Sequence, residues 1–243
     1  MPIAAHPADT RDTFCMVMFM NRLPTRSRSM KPAHSILIVC AALIAGWSHA
    51  APVALPSPSV DLTGDSGLQK VVLAGGCFWG LELVFEHVKG VHDVRSGYSG
   101  GKSYMAHYAS VASGDTGHAE SVEITYDPKQ ISYGELLRVF FSVAHDPTQL
   151  DRQGPDEGPQ YRSTIFFASP AQERVARAYI EQLEKLKTFD EPIVTTLEPL
   201  QGFYVAEPEH QDYATRHPRQ PYIVLNDRPK LARLQRLFPQ LLK

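Results

Sequence analysis

Between residues 70 and 80 the chain changes its hydrophobic period, and that switch constrains the fold more than any other local feature. Residues 70–74 (Lys-Val-Val-Leu-Ala) form a short apolar run of strand character, broken by Gly75-Gly76. From Phe78 the apolar side chains Phe78, Leu81, Val84, Phe85 and Val88 recur at helical spacing, and the pattern stops at Gly90. A strand therefore feeds a helix through a glycine turn, and Cys77 sits at the junction.

The pattern of elements continues along the chain. Residues 91–99 read as a strand that runs into the glycine cluster 97–101. Residues 121–126 alternate, with Val122, Ile124 and Tyr126 on one face and Glu123 and Thr125 on the other. Ser132 followed by Glu135 is a capping box, opening a helix whose Leu136, Leu137, Phe140, Phe141 and Ala144 face a core. Residues 161–168 form another apolar strand. Ser169-Pro170 then starts an amphipathic helix that runs to about Thr188. Residues 193–197 add a strand, and a last helix begins near Pro229. This order predicts an α+β fold, a two-layer α/β sandwich with a ferredoxin-like split βαβ core and additional C-terminal segments, in preference to a doubly wound sheet.

The first fifty residues read differently. Residues 35–47 are an apolar run too short for a comfortable membrane span; they follow Arg22, Arg26, Arg28 and Lys31 and precede Ser48-His49-Ala50. They are expected to be a signal peptide cleaved after Ala50, with Met30 an alternative start. Residues 51–67, rich in proline and glycine, are expected to be a flexible linker, leaving 68–243 as a single catalytic domain. The expected location is exported, periplasmic or secreted. Without residues 1–50 the chain has 19 basic against 24 acidic side chains and no basic stripe, so nucleic acid is not an expected partner. Cys15 and Cys40 are lost with the leader. Cys77 is then the sole cysteine, and an internal disulfide is excluded.

A thiol at a helix start sits among unpaired N–H groups and a positive dipole end, a setting that favours the thiolate and hence a nucleophile. Trp79 offers an apolar wall beside it. A buried, inert cysteine is the competing reading. Glu120 shares strand parity with Val122, Ile124 and Tyr126, so it points to the apolar side, where desolvation raises a carboxyl pKa and makes a proton donor near neutral pH. A solvated residue at a frayed strand end is the alternative. In the loop 153–161, Asp156 and Tyr161 are placed to hydrogen-bond a polar substrate oxygen. His118 lies in a glycine-rich turn. No His-Glu-x-x-His, paired cysteines or papain-type cysteine signature occurs, so no metal is expected.

The motifs GGCFWG (75–80), GYSGG (97–101), SGDTGHAE (113–120), DP (127–128), HDPTQ (145–149), DEGPQYRS (156–163) and AEPEHQDY (206–213) together resemble the peptide methionine sulfoxide reductase A family, over residues 70 to 238. The resemblance implies that Cys77 attacks the sulfoxide sulfur and becomes a sulfenic acid as methionine leaves. It implies that Phe78 and Trp79 cradle the substrate methyl and that Glu120 protonates the sulfoxide oxygen. Tyr108 and Tyr161 would hydrogen-bond that oxygen, with Asp156 helping to order the site. It further implies action on the S epimer, in free or protein-bound methionine, as repair under oxidative stress, with no bound cofactor. The chain departs from the pattern after Cys77, where many members carry one or two more cysteines and this one has none. A monomeric one-cysteine catalyst is therefore expected, recycled by an external thiol, either a thioredoxin-like protein or a small thiol. A thiol peroxidase and an exported module that only binds oxidised methionine are the competing readings.

Overall fold

Val71, Val72, Leu73 and Ala74 are all buried, so the run that carries no alternation in sequence is a strand covered on both faces. The computed structural model describes residues 53–62 and 67–243. The signal segment 1–50 with its cleavage site, the alternative start at Met30, and Cys15 and Cys40 lie outside the described residues. In chain order the strands are β1 (Gln69–Ala74), β2 (Val91–Ser99), β3 (Ala119–Tyr126), β4 (Arg152–Gln153), β5 (Asp156–Glu157), β6 (Thr164–Phe167), β7 (Thr196–Pro199) and β8 (Phe203–Val205). The helices are α1 (Phe78–Glu86), α2 (Tyr108–Val111), α3 (Tyr133–Val139), α4 (Pro170–Lys185), α5 (Tyr213–Arg216) and α6 (Arg228–Leu237).

Six strands form one sheet in the order β7-β6-β1-β3-β2-β8, and β4 pairs with β5 in a separate short ladder. Every pairing in the sheet is antiparallel except β6 with β7. The chain is thus a mixed α/β structure. Val71 and Leu73 of β1, with Val122 and Ile124 of β3, face the larger core, where they meet Phe78, Leu81 and Phe85 of α1, Leu136 of α3 and Tyr179 of α4. Val72 and Ala74 face the other way, onto Ala119, Phe166, Leu200 and Phe203.

The caps form as their residue types dictate. Ser132 Oγ accepts the Glu135 N–H and Ser169 Oγ the Gln172 N–H, each at 3.2 Å. Other boundaries move. Gly158, at φ 126°, and Pro159 divert the chain into a 3-10 turn, Pro159–Tyr161, so Tyr161 lies off the sheet and β6 starts only at Thr164. The strand expected at 193–197 is displaced to β7, where Thr164 and Thr196 join their hydroxyls at 2.9 Å. Lys187, in the left-handed region at φ 51°, lies just beyond the end of α4.

The expected flexible linker is the clearest correction. Residues 53–62 are strapped across α3 and α4. Tyr179 Oη donates to the Pro56 carbonyl at 2.8 Å, Arg138 Nε to that of Leu55 at 2.6 Å, and the Gln182 side chain holds both Ser57 and Ser59. Asp61 then accepts from Ser132 Oγ and from the Gly134 N–H at the start of α3. Extended, proline-rich backbone has no partners of its own, and side chains from the helices satisfy it.

Candidate active site

Cys77 is the N-cap of α1, with φ −55° and ψ 126°. The turn before it requires glycine: Gly76 has φ 97°, and a Cβ there would lie 2.6 Å from Gln153 Cγ. Gln153 is in turn fixed to the Asp146 backbone, donating from Nε2 at 3.0 Å and accepting at 3.2 Å. The hairpin of β4 and β5 thus presses on the turn that presents the sulfur.

The thiol is 7% exposed. Burial, and after it the charges of Glu120 and Asp227, push its pKa well above the ordinary thiol range, while the Trp79 N–H and the Lys230 ammonium pull it down. Desolvation therefore opposes the favourable helix end expected from the sequence and holds the thiol pKa up.

Glu120 lies within β3, opposite Tyr98, and is 2% exposed. The strand extends beyond the predicted 121–126, so Glu120 is not frayed. Its Oε2 accepts the Phe78 N–H at 3.1 Å, and the Cys77 thiol lies close enough to favour the charged carboxylate. Burial still dominates and raises its pKa to about 8, with Asp156 adding to the rise. At neutral pH Glu120 holds a proton in contact with the cysteine, and the repulsion it exerts on the thiolate is then absent.

Phe78 is fully buried, 5.8 Å from the Tyr98 ring and 5.3 Å from that of His210. Trp79 stacks on Tyr213 with ring centroids 3.8 Å apart, and the edge of Tyr222 meets it at 5.9 Å. Tyr108 opens α2, half-exposed, with its ring 4.4 Å from His210 and its N–H donated to Glu207. Burial, and after it any charge on Glu120, Cys77 or Asp156, holds the hydroxyls of both Tyr108 and Tyr161 protonated. Asp156, in β5, accepts a short hydrogen bond from Tyr222 Oη. All seven residues singled out in the sequence therefore converge on one place.

Several neighbours had no signal in the sequence. Tyr222 and Asp227 come from the segment leading into α6 and Lys230 from its first turn, far from Cys77 along the chain. Asp227 is fully buried, and Lys230 Nζ approaches its Oδ1 at 3.3 Å. Gly80 leaves room for this pair against the first turn of α1, since a Cβ there would fall 2.2 Å from Asp227 Oδ1. His145 packs under Gly75, bonded to Ser163 at 2.8 Å, and burial lowers its pKa to about 3. It is a neutral prop. His118 is structural as well: it accepts the Gly101 N–H at 3.2 Å and bonds the Lys102 carbonyl at 3.0 Å, clamping two loops together.

A thiol beside a protonated, buried carboxyl, under an aromatic wall, is chemistry suited to reducing a polar S–O bond. Comparison with known proteins decides which. The family model for peptide methionine sulfoxide reductase matches residues 69–241. The chain belongs to the peptide methionine sulfoxide reductase A family. It is 53% identical over 193 residues to peptide methionine sulfoxide reductase MsrA 2 of a Synechocystis species, covering 78% of this chain and 90% of that protein. It is 57% identical over 175 residues to the protein of the same name from Mesorhizobium japonicum, covering 72% and 90%. Among solved structures it is similar to Mxr1 of Saccharomyces cerevisiae in reduced form (TM-score 0.57, 33% identity, 67% of this chain and 92% of that one). It is also similar to methionine sulfoxide reductase A of Corynebacterium diphtheriae (TM-score 0.55, 34% identity, 69% and 85%). As a member of this family the chain is a peptide-methionine (S)-S-oxide reductase that uses thiols to return methionine sulfoxide to methionine and so repairs oxidised proteins.

Proposed function

We propose that Cys77 is the nucleophile and Glu120 a proton relay beside it. Sγ attacks the sulfoxide sulfur while Glu120 gives its proton to the oxygen and takes up the proton of the thiol. The oxygen ends on Sγ as a sulfenic acid and methionine departs. The substrate sulfur gains the two electrons that Cys77 loses. Phe78 and Trp79 receive the methyl group, Tyr108 and Tyr161 donate to the oxygen, and Asp156, tied to Tyr222, holds that side of the pocket. The observation that carries this reading is the burial of Glu120 against the first turn of α1 beside Cys77, its Oε2 taking the Phe78 N–H at 3.1 Å, where desolvation raises its pKa to about 8.

Recycling then requires two external thiols. One attacks the sulfenic acid, releasing water and forming a mixed disulfide, and a second frees Cys77 as the partner disulfide. The absence of any cysteine after Cys77 supports this route, with a thioredoxin-like protein or a small thiol as donor. The apolar run 35–47 behind its arginines supports export to the periplasm or beyond, and the order β6-β1-β3-β2 supports a split βαβ core of ferredoxin type. Assays of both sulfoxide epimers, free and in peptides, with dithiothreitol test the function. Turnover of the S epimer alone supports it; consumption of peroxide in preference to sulfoxide contradicts it.

A further inference from the structure

Three carboxylates gather at the other end of α1. Glu82 and Glu86 stand one helical turn apart, roughly 8 to 14 Å along the axis from Cys77. Asp212 reaches them from the loop before α5, where it takes the left-handed conformation at φ 52°. One oxygen from each lies within 4.8 Å of the others. The three line a cavity of about 440 Å³ together with His92, Asp93 and Arg95.

Glu82 sets this cluster apart from an ordinary acidic patch. It is 2% exposed, and among the described residues neither of its carboxylate oxygens has a hydrogen-bond partner within ordinary geometry. Burial, and after it the charge of Glu86, raises its pKa to about 8, while Ser96 and the Asp212 N–H act to lower it. A buried carboxyl left open toward two others keeps its proton unless a cation takes that proton's place. Arg95 does not, being engaged by Glu123 and Asp93. Lys243 offers one positive charge near Glu86, against three carboxylates.

We propose that Glu82, Glu86 and Asp212 bind a hard divalent cation of the Ca²⁺ or Mg²⁺ class. The donors are all oxygen, which suits these ions and disfavours soft ones, and the cavity leaves space for the waters that complete their coordination. The ion joins α1 to the Asp212 loop. The next residue, Tyr213, is stacked on Trp79, so the site fastens the aromatic wall of the pocket to the helix that carries Cys77. It takes no part in the reaction, and it stands or falls separately from the roles given to Cys77 and Glu120.

The test is calorimetric titration of chelator-treated protein with CaCl₂ and with MgCl₂, paired with thermal melts. The expected result is saturable binding of one ion per chain and a higher melting temperature with the ion present. Glu86→Gln and Asp212→Asn should each weaken binding by about tenfold or more. Both are isosteric, and asparagine tolerates the left-handed backbone at 212, so both should fold. No saturable binding of either ion at millimolar concentration, or binding that neither variant weakens, would overturn the proposal.

Discussion

The Phe78 N–H donates to Glu120 Oε2 at 3.1 Å, so the first turn of the helix that carries the nucleophile is bonded directly to the acid on β3. One contact fixes how far apart the thiol and its proton partner sit. It also uses a helix N-terminal N–H that would otherwise lack an acceptor.

The protonation of Glu120 sets the pH dependence. Its pKa is raised to about 8, so the competent form, thiol plus carboxyl, is present below that value and lost above it. Single-turnover methionine formation, measured without external thiol, should be level through neutral pH and fall as pH rises through about 8. Glu120→Gln should slow it by about 10²-fold or more. A rate that climbs steadily through pH 8 would point to a thiolate as the resting nucleophile.

Lys230 and Asp227 act on Cys77 in opposite senses. Lys230→Met should move the pH midpoint of Cys77 alkylation upward, and Asp227→Asn should move it downward. Alkylation rates across pH check both. Shifts of the same sign in the two variants would exclude a simple charge effect.

Tyr222→Phe removes the hydroxyl that holds Asp156. A hydrogen bond to a charged group is worth about 1.5–3 kcal/mol, so KM should rise about tenfold or more with the fold intact. Steady-state kinetics on a sulfoxide peptide provide the measurement.

The strap offers a purely structural prediction. Asp61 caps α3 through Ser132 Oγ and the Gly134 N–H. Asp61→Ala should cost about 1 kcal/mol of stability, lowering the melting temperature by about 2–4 °C without slowing catalysis.

Much of this was legible in the sequence because it rests on local chemistry. The β1–α1 switch at Gly75-Gly76, the serine caps and the parity of Glu120 each depend on neighbours a few residues away. Tyr222, Asp227 and Lys230 were not legible, since only the return of the chain to α1 at the start of α6 brings them to Cys77. The docking of residues 53–62 was hidden for a related reason: proline-rich backbone looks uncommitted until side chains of α3 and α4 supply its hydrogen bonds. The environment of the thiol is only half legible, because a helix end can be read from spacing whereas burial depends on the whole fold.

The most direct test is mass spectrometry of the protein after one equivalent of S-epimer methionine sulfoxide is added without any thiol. The expected product is one methionine per chain and the gain of a single oxygen atom on the peptide that contains Cys77, reversed by dithiothreitol. Methionine in excess of one per chain, or full activity in Cys77→Ser, would contradict the assignment of Cys77 as a nucleophile that depends on an external thiol.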